Sequence, residues 1–416
     1  MPQSHTIALS PSVIARRTLS LRRPGGIEPS LKACAASLCL LACMATAQAQ
    51  TSLDAMLKTQ AEAAKFPALA AAVVVGGKMM AIGTAGTRRA GTATPVLRDD
   101  RFHLGSDTKA MTAVIAAMYI EEGTLRWDST LAQVFPELAA TMDAQVKTIT
   151  VAQLLSHTSG LPSDNDAFGQ LLDKSQLIEG NLDQQRYWML TQAVKQPLVA
   201  EPGKAFAYSN LGYTLTGAII ERIGKKTWEE LITERVFVPL KLTTAGLGPQ
   251  SSLGRVDAPL GHRIVNDQPS AVLAGPFGDN PVILGPAGTA HMSVADFATW
   301  GSWMAGQGKR APFLLKPETF KKLVTPVISM QAASTKATTV SGAASYALGW
   351  GSVKMPWSES PLPFHGGSNN LNKAYIWLDT ERDAAIVVMT NIATSNTEAV
   401  MSEIGGQLYK SYVSKK

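Results

Sequence analysis

The chain has 416 residues, 45% hydrophobic and 17% charged, and its 38 basic and 32 acidic residues give a formal charge of +6. That apolar share excludes a disordered chain, and the length suffices for one large domain or two intimate ones. The charge excess is weak for a nucleic-acid binder, and it is concentrated at one end.

Residues 1–49 carry Arg16, Arg17, Arg22, Arg23 and Lys32 against a single acid, Glu28. Small and apolar residues follow from Ala33, ending in Ala47-Gln48-Ala49. A basic stretch, a short apolar stretch and an A-x-A end predict a secretory signal peptide over residues 1–49 and an exported, periplasmic or secreted protein. Two alternatives involve a membrane. Leu40-Leu41-Ala42-Cys43 resembles a loose lipoprotein box that would put a lipid on Cys43, and the segment could stay uncleaved as an anchor. All three cysteines (Cys34, Cys39, Cys43) fall here, so residues 50–416 have no thiol chemistry and no cysteine metal site. No later segment has the roughly 20 apolar residues that span a bilayer.

The 50–416 part opens with a helical pattern from Leu53 to Lys65. Apolar runs at 68–75 and 78–83 around Gly76-Gly77 predict a β-hairpin. Ser106 opens a helix through Glu122, with Met111, Val114, Ile115 and Met118 at helical spacing and Gly123 as its stop. Residues 124 to about 300 read as helices broken by loops. Val151–Leu155 is a short helix, 163–186 a polar irregular segment and candidate lid, and Leu211–Ile223 an amphipathic helix with Asn210 as N-cap and Gly224 as C-cap. A loop rich in Ala, Ser and Thr follows at 325–345. Tyr346–Gly351, Ala374–Leu378 and Ala384–Thr390 are strand-like, and a last helix covers about Thr397–Tyr412. Strands at both ends with helices between predict an α/β (α+β) fold. One sheet is built from both chain ends and flanked by helices (about 53–105 and 330–416), with a mostly helical part inserted at about 106–329.

The chain has no G-x-S-x-G, no H-E-x-x-H and no P-loop. Histidines 103, 157, 262, 291 and 365 are isolated, so neither a metal nor another cofactor is expected. Ser106-Asp107-Thr108-Lys109 is the only S-x-x-K, and its helical spacing puts serine and lysine on one face. A serine hydroxyl needs a base to become a nucleophile, and a partly desolvated lysine can be that base. The helix start adds a potential that favours an oxyanion. Tyr208-Ser209-Asn210 is the only Y-x-N. Its tyrosine can relay protons and its asparagine can meet a substrate carbonyl or order Lys109. In His365-Gly366-Gly367-Ser368 the glycines allow close backbone approach, and the Ser368 N–H could join that of Ser106 as an oxyanion hole. Taken singly, each motif has a bland reading: a helix cap with a surface lysine, a buried tyrosine with a cap asparagine, a glycine hairpin with an incidental histidine.

In this order the three motifs resemble the penicillin-recognising serine hydrolases, in the branch of class C β-lactamases, D-alanyl-D-alanine carboxypeptidases, D-aminopeptidases and esterases. The stretches 154–162, 202–213 and 346–350 match as well, and the resemblance spans about 53–412. It implies the β-lactamase/transpeptidase-like fold, with an antiparallel sheet, and a small ester, amide or peptide as substrate. By the same resemblance Ser106 is the acylated nucleophile, Lys109 its base, Tyr208 the proton shuttle and Asn210 the substrate-amide contact. Ser106 and Ser368 supply the oxyanion N–H groups, with Gly366 and Gly367 beside them. His365 stands where many members carry lysine. A mostly neutral histidine removes a charge that holds an antibiotic carboxylate, a loss of about 1–3 kcal/mol. An esterase or peptidase-like hydrolase is therefore favoured over an efficient β-lactamase or D-Ala-D-Ala carboxypeptidase. The competitor of another class is a non-catalytic cell-wall sensor, which would be expected to lack a motif residue. His157 is expected to close the loop after its helix and His103 to pack, while His291 follows Gly285-Pro-Ala-Gly-Thr289, a wall of the cleft. The pocket walls are expected from 163–186 and 262–282.

Overall fold

The computed structural model describes residues 50–162, 165–275, 278–330 and 344–414. The expected leader at 1–49, Cys43 included, and most of the expected loop at 325–345 lie outside them. Nine strands form one sheet: β1 (Thr51–Ser52), β2 (Ala68–Val75), β3 (Lys78–Gly86), β4 (Ile328–Ser329), β5 (Ser345–Tyr346), β6 (Gly351–Val353), β7 (Leu362–Ser368), β8 (Lys373–Asp379) and β9 (Ala384–Thr390). Their spatial order is β1-β3-β2-β9-β8-β7-β6-β5-β4. All neighbours are antiparallel except β1 and β3. The two chain ends meet where β2 pairs with β9, Ala72 opposite Val387. The expected single strand at 346–351 is instead β5 and β6 with a turn between them, where Gly349 takes φ +84°.

Every residue of β2 and β9 is buried, because helices cover both faces of the sheet, and such strands read as unbroken apolar runs. Alternate side chains divide between two cores. Ala70, Ala72 and Val74 pack with Phe297, Trp300 and Met304 of the helix Val294–Gly306. Leu69, Ala71 and Val73 face Leu57 of the helix Asp54–Ala64 and Met401, Ile404 and Leu408 of the helix Thr397–Leu408.

Four helices of the central part matter for the site: α1 (Thr108–Glu121), α2 (Asp166–Ser175), α3 (Leu182–Ala193) and α4 (Asn210–Gly224). Helix α1 is buried from Thr108 to Tyr119, apolar nearly all round, and so runs through the core. The expected irregular segment 163–186 is largely helical among its described residues. Residues 166–175 and the first turns of α3 are helical, with Asn165 Oδ1 capping α2 through Phe168 N and Phe168 and Leu171 buried. One turn of apolar spacing in a polar stretch hides this helix. The caps of α4 also differ from expectation. Ser209 is the N-cap, its Oγ accepting from Gly212 N at 3.1 Å, and Lys225 is the left-handed C-cap. Asn210 is thus the first helical residue rather than the cap. Gly224 lies inside the helix, where a Cβ would overlap the hydroxyl of Tyr119 on α1.

Candidate active site

Ser106 lies in a 3-10 turn, Gly105–Asp107, that leads into α1. One turn on, Lys109 is fully buried, and its ammonium has three acceptors: Ser106 Oγ at 3.1 Å, Asn210 Oδ1 at 2.7 Å and the Ala287 carbonyl at 2.7 Å. Tyr208, just before α4, donates its hydroxyl to Ser106 Oγ at 2.8 Å. Lys109 Nζ also sits 4.8 Å from the Tyr208 ring centre. The serine oxygen therefore has two groups in reach that can exchange its proton. Freed from capping by Ser209, Asn210 turns its amide oxygen to the lysine.

The β7 motif meets this turn through its backbone. Gly105 takes φ +52°, and a Cβ there would overlap the backbone of Ser368. A Cβ on Gly367 would overlap the Leu104 carbonyl and crowd Ser106 N. Two glycines thus let the chain around Ser106 and the chain around Ser368 touch, which brings their amides to one place. The Ser368 hydroxyl is engaged elsewhere, donating to the Asn372 carbonyl at 2.8 Å and accepting from Asn370 N at 2.9 Å. Gly366 points the other way, toward Tyr375.

His365 faces into the protein. Its Nδ1 lies 3.1 Å from the Gly366 carbonyl and its Nε2 3.0 Å from the Tyr346 hydroxyl, so Nδ1 carries the proton and Nε2 accepts. Burial, reinforced by the Lys109 charge, pushes its pKa down to about 3. The ring is neutral at pH 7, as expected, and its contacts are these two groups and Asp107 Oδ1 at 3.9 Å. Asp107 is itself buried, and desolvation holds its carboxyl well above the usual range.

Histidines 103, 157, 262 and 291 are also inside. His157, with φ +57°, accepts from Ser209 N at 3.1 Å and lies among the rings of Phe206, Tyr208, Tyr213 and Tyr346, that of Tyr208 at 4.3 Å. Burial drives its pKa well below the usual value. It supports the tyrosine that touches Ser106, a role that sequence reading reduced to closing a loop. His291 contacts the Gly248 carbonyl through Nδ1 at 2.9 Å, and burial lowers its pKa to about 4. His103, expected only to pack, accepts from Gly105 N at 3.0 Å, and its other nitrogen lies 2.6 Å from Asp279 Oδ1. Asp279 carried no motif signal.

Asp279 and Asn280 border a cavity of about 590 Å³. Its other walls include Gln176 and Gln185 from the expected 163–186 segment and Pro281 and Val282 from the expected 262–282 segment, with Pro249, Ser251, Leu253 and Ile283 from outside them. Among the described residues no cluster of His, Cys, Asp and Glu could hold a metal ion, and no helix is long and apolar enough to cross a membrane.

The solved structures with this arrangement of chain include the octameric penicillin-binding protein homologue from Pyrococcus abyssi. It has a TM-score of 0.69 and 21% identity, with 86% of this chain and 76% of that one covered. Another is EstCE1, described as a hydrolase with promiscuous acyltransferase activity, with a TM-score of 0.68 and 17% identity over 84% of this chain and 96% of that one. At these identities the likeness is one of fold. Among sequences, Protein flp of Staphylococcus aureus (strain MRSA252) is 24% identical over 371 residues, which cover 87% of this chain and 67% of that protein. The family model described as beta-lactamase matches residues 53–405, so the chain belongs to the beta-lactamase family.

Proposed function

We propose that the chain is an exported serine hydrolase that works through an acyl-enzyme on a small ester or amide. One observation carries this reading: Ser106 Oγ has Lys109 Nζ at 3.1 Å and Tyr208 Oη at 2.8 Å, beside the touching backbones of Gly105–Ser106 and Gly367–Ser368. In the first step the Lys109–Tyr208 pair is one proton short, as neutral lysine or as tyrosinate; Ser106 Oγ bonds to the substrate carbonyl carbon and its proton passes to that pair. The carbonyl oxygen takes the negative charge, facing the Ser106 and Ser368 amides. The bond to the leaving group then breaks and the pair returns the proton to it. Water repeats the sequence on the acyl-enzyme, giving its proton to the same pair and releasing the acid and Ser106.

Two features support an ester or simple amide over a β-lactam. His365 is neutral and buried, so the position that often holds a lysine offers no cation to a substrate carboxylate. The cavity beside Asp279 is lined by apolar Pro249, Leu253, Pro281, Val282 and Ile283 together with polar Gln176, Gln185 and Ser251, and none of its described wall residues is a cation that would hold a substrate carboxylate. The test is a hydrolysis panel of a short acyl ester, a D-alanyl peptide and a chromogenic cephalosporin, run beside labelling by a fluorophosphonate probe. The ester is expected to turn over fastest, and Ser106→Ala to abolish both hydrolysis and labelling. Full labelling of that variant would remove Ser106 as nucleophile. Cephalosporin turnover far above the ester would make the protein a β-lactamase, and a stable adduct without turnover would make it a sensor.

A further inference from the structure

Both backbone segments at the proposed oxyanion hole contain a glycine, and glycine is the residue least able to hold a conformation by itself. An oxyanion hole stabilises charge only if its donors are fixed before the reaction. Something beside these segments must supply the rigidity.

The described residues supply it through one carboxylate oxygen. His103 is fully buried on the short strand Arg101–His103. Its Nδ1 accepts from Gly105 N at 3.0 Å, so the ring proton is on Nε2. That nitrogen lies 2.6 Å from Asp279 Oδ1, a close contact although it is not aligned as a standard hydrogen bond. The same Oδ1 accepts from Asn280 N at 2.7 Å and from Asn369 Nδ2 at 3.2 Å. Asn369 follows Ser368, and its own Oδ1 gathers Leu371 N at 3.2 Å, Asn372 N at 3.0 Å and Asn372 Nδ2 at 3.0 Å, which folds the turn after Ser368. Asn280 in turn donates through Nδ2 to the Gly288 carbonyl at 2.7 Å, one residue beyond the carbonyl that receives Lys109. Asp279 Oδ1 is thus tied to the segment of Ser106, to the segment of Ser368 and to the segment that holds Lys109.

We propose that His103 and Asp279 are positioning residues that clamp the two oxyanion-hole backbones against each other. The proposal rests on the acyl-enzyme reading above for its catalytic consequence. Neither side chain has Ser106 Oγ among its partners, so both act through the backbone.

The test combines hydrogen–deuterium exchange with steady-state kinetics on a short acyl ester, for the wild type, Asp279→Ala, Asp279→Asn, His103→Gln and the double variant H103Q/D279A. In Asp279→Ala, exchange is expected to accelerate at 102–106 and 367–372 while helix α4 keeps its wild-type rate. The kcat is expected to fall about 10- to 100-fold, less than the loss on deleting an oxyanion donor outright, with KM within about threefold of wild type. Asp279→Asn keeps an acceptor oxygen and is expected to recover most of the loss. The double variant is expected to be no slower than the worse single one, as for two members of one chain of contacts. Wild-type exchange at both segments in Asp279→Ala overturns the clamp whatever the activity. Faster exchange with unchanged kcat, or a loss in KM alone, overturns its catalytic role. If the wild type neither hydrolyses the ester nor labels with fluorophosphonate, the acyl-enzyme reading falls and takes that role with it. The exchange rates still decide whether the two side chains hold the segments.

Discussion

At the scale of single residues, the side chains around Ser106 divide by whether they touch its oxygen. Lys109 and Tyr208 do, and both were readable from motif spacing because chemistry of this kind needs those residue types. Tyr208 permits a clean separation of chemistry from packing. Its ring lies 4.3 Å from that of His157, and only its hydroxyl reaches the serine. Tyr208→Phe keeps the ring contact and removes the proton carrier. Ester hydrolysis is expected to fall by about 10²- to 10⁴-fold in kcat, the range for loss of a general acid–base group. The thermal midpoint is expected to stay within about 2 °C, because the buried apolar surface is unchanged. Paired kinetics and melting curves check this, and an equal fall in both would assign the tyrosine to packing. His365 marks the limit of reading at this scale. Its neutrality at pH 7 was expected from its type, but its inward direction toward Tyr346 follows from which face of β7 meets the core.

At the scale of elements, the cap of α4 decides where Asn210 points. Ser209 Oγ accepts from Gly212 N and donates to the Pro162 carbonyl at 2.9 Å, so it both ends the preceding loop and starts the helix. Replacing such a cap with alanine costs about 0.5–2 kcal/mol. Ser209→Ala is expected to lower the urea midpoint accordingly and to reduce ester kcat, since the first turn of α4 carries Asn210 to Lys109. Urea titration and kinetics on one preparation check both effects, and a stability loss with full kcat would show that Asn210 is held by other means. Two polar residues in a row, Ser209 and Asn210, made either a plausible cap, and only the loop geometry at Pro162 chooses between them. The hairpin at 68–83, the helix 151–155 and the strand 384–390 were legible because local period and turn residues specify them. Helix α2 was not, because its one buried stripe, Phe168 and Leu171, is too short to stand out from a polar segment. Asp279 was illegible for a different reason: it acts through contacts with residues 103 and 369, far from it in the chain, and no local pattern marks such a residue.

At the scale of the whole molecule, the fold encloses histidines in their neutral form, and this sets how stability responds to acid. His157, His291 and His365 all have pKa values below the ordinary 6.5, the last two at about 4 and about 3, with burial the main cause in each. As pH falls below 6.5 the unfolded chain binds protons at these three sites while the native chain does not, so stability is lost toward the native values. Asp107 has the opposite sign. Its raised native pKa means that the folded chain keeps a proton the unfolded chain has released above about pH 3.8, so its contribution declines as pH rises through that region. His262, also lowered by burial, joins the histidines, and Glu221, raised by burial, joins Asp107, so four groups against two leave a net loss on acidification between pH 6.5 and about 4. Each group contributes a slope of up to about 1.4 kcal/mol per pH unit where the two states differ by a full proton. The urea midpoint is therefore expected to drop steadily from pH 7 to pH 4.5. His291→Gln should flatten the drop, since it removes one titrating site while its amide can still meet the Gly248 carbonyl. A midpoint that rises on acidification would mean that the native chain takes up protons at these histidines, because each buried carboxyl contributes no more than one proton and the two cannot outweigh the four of them.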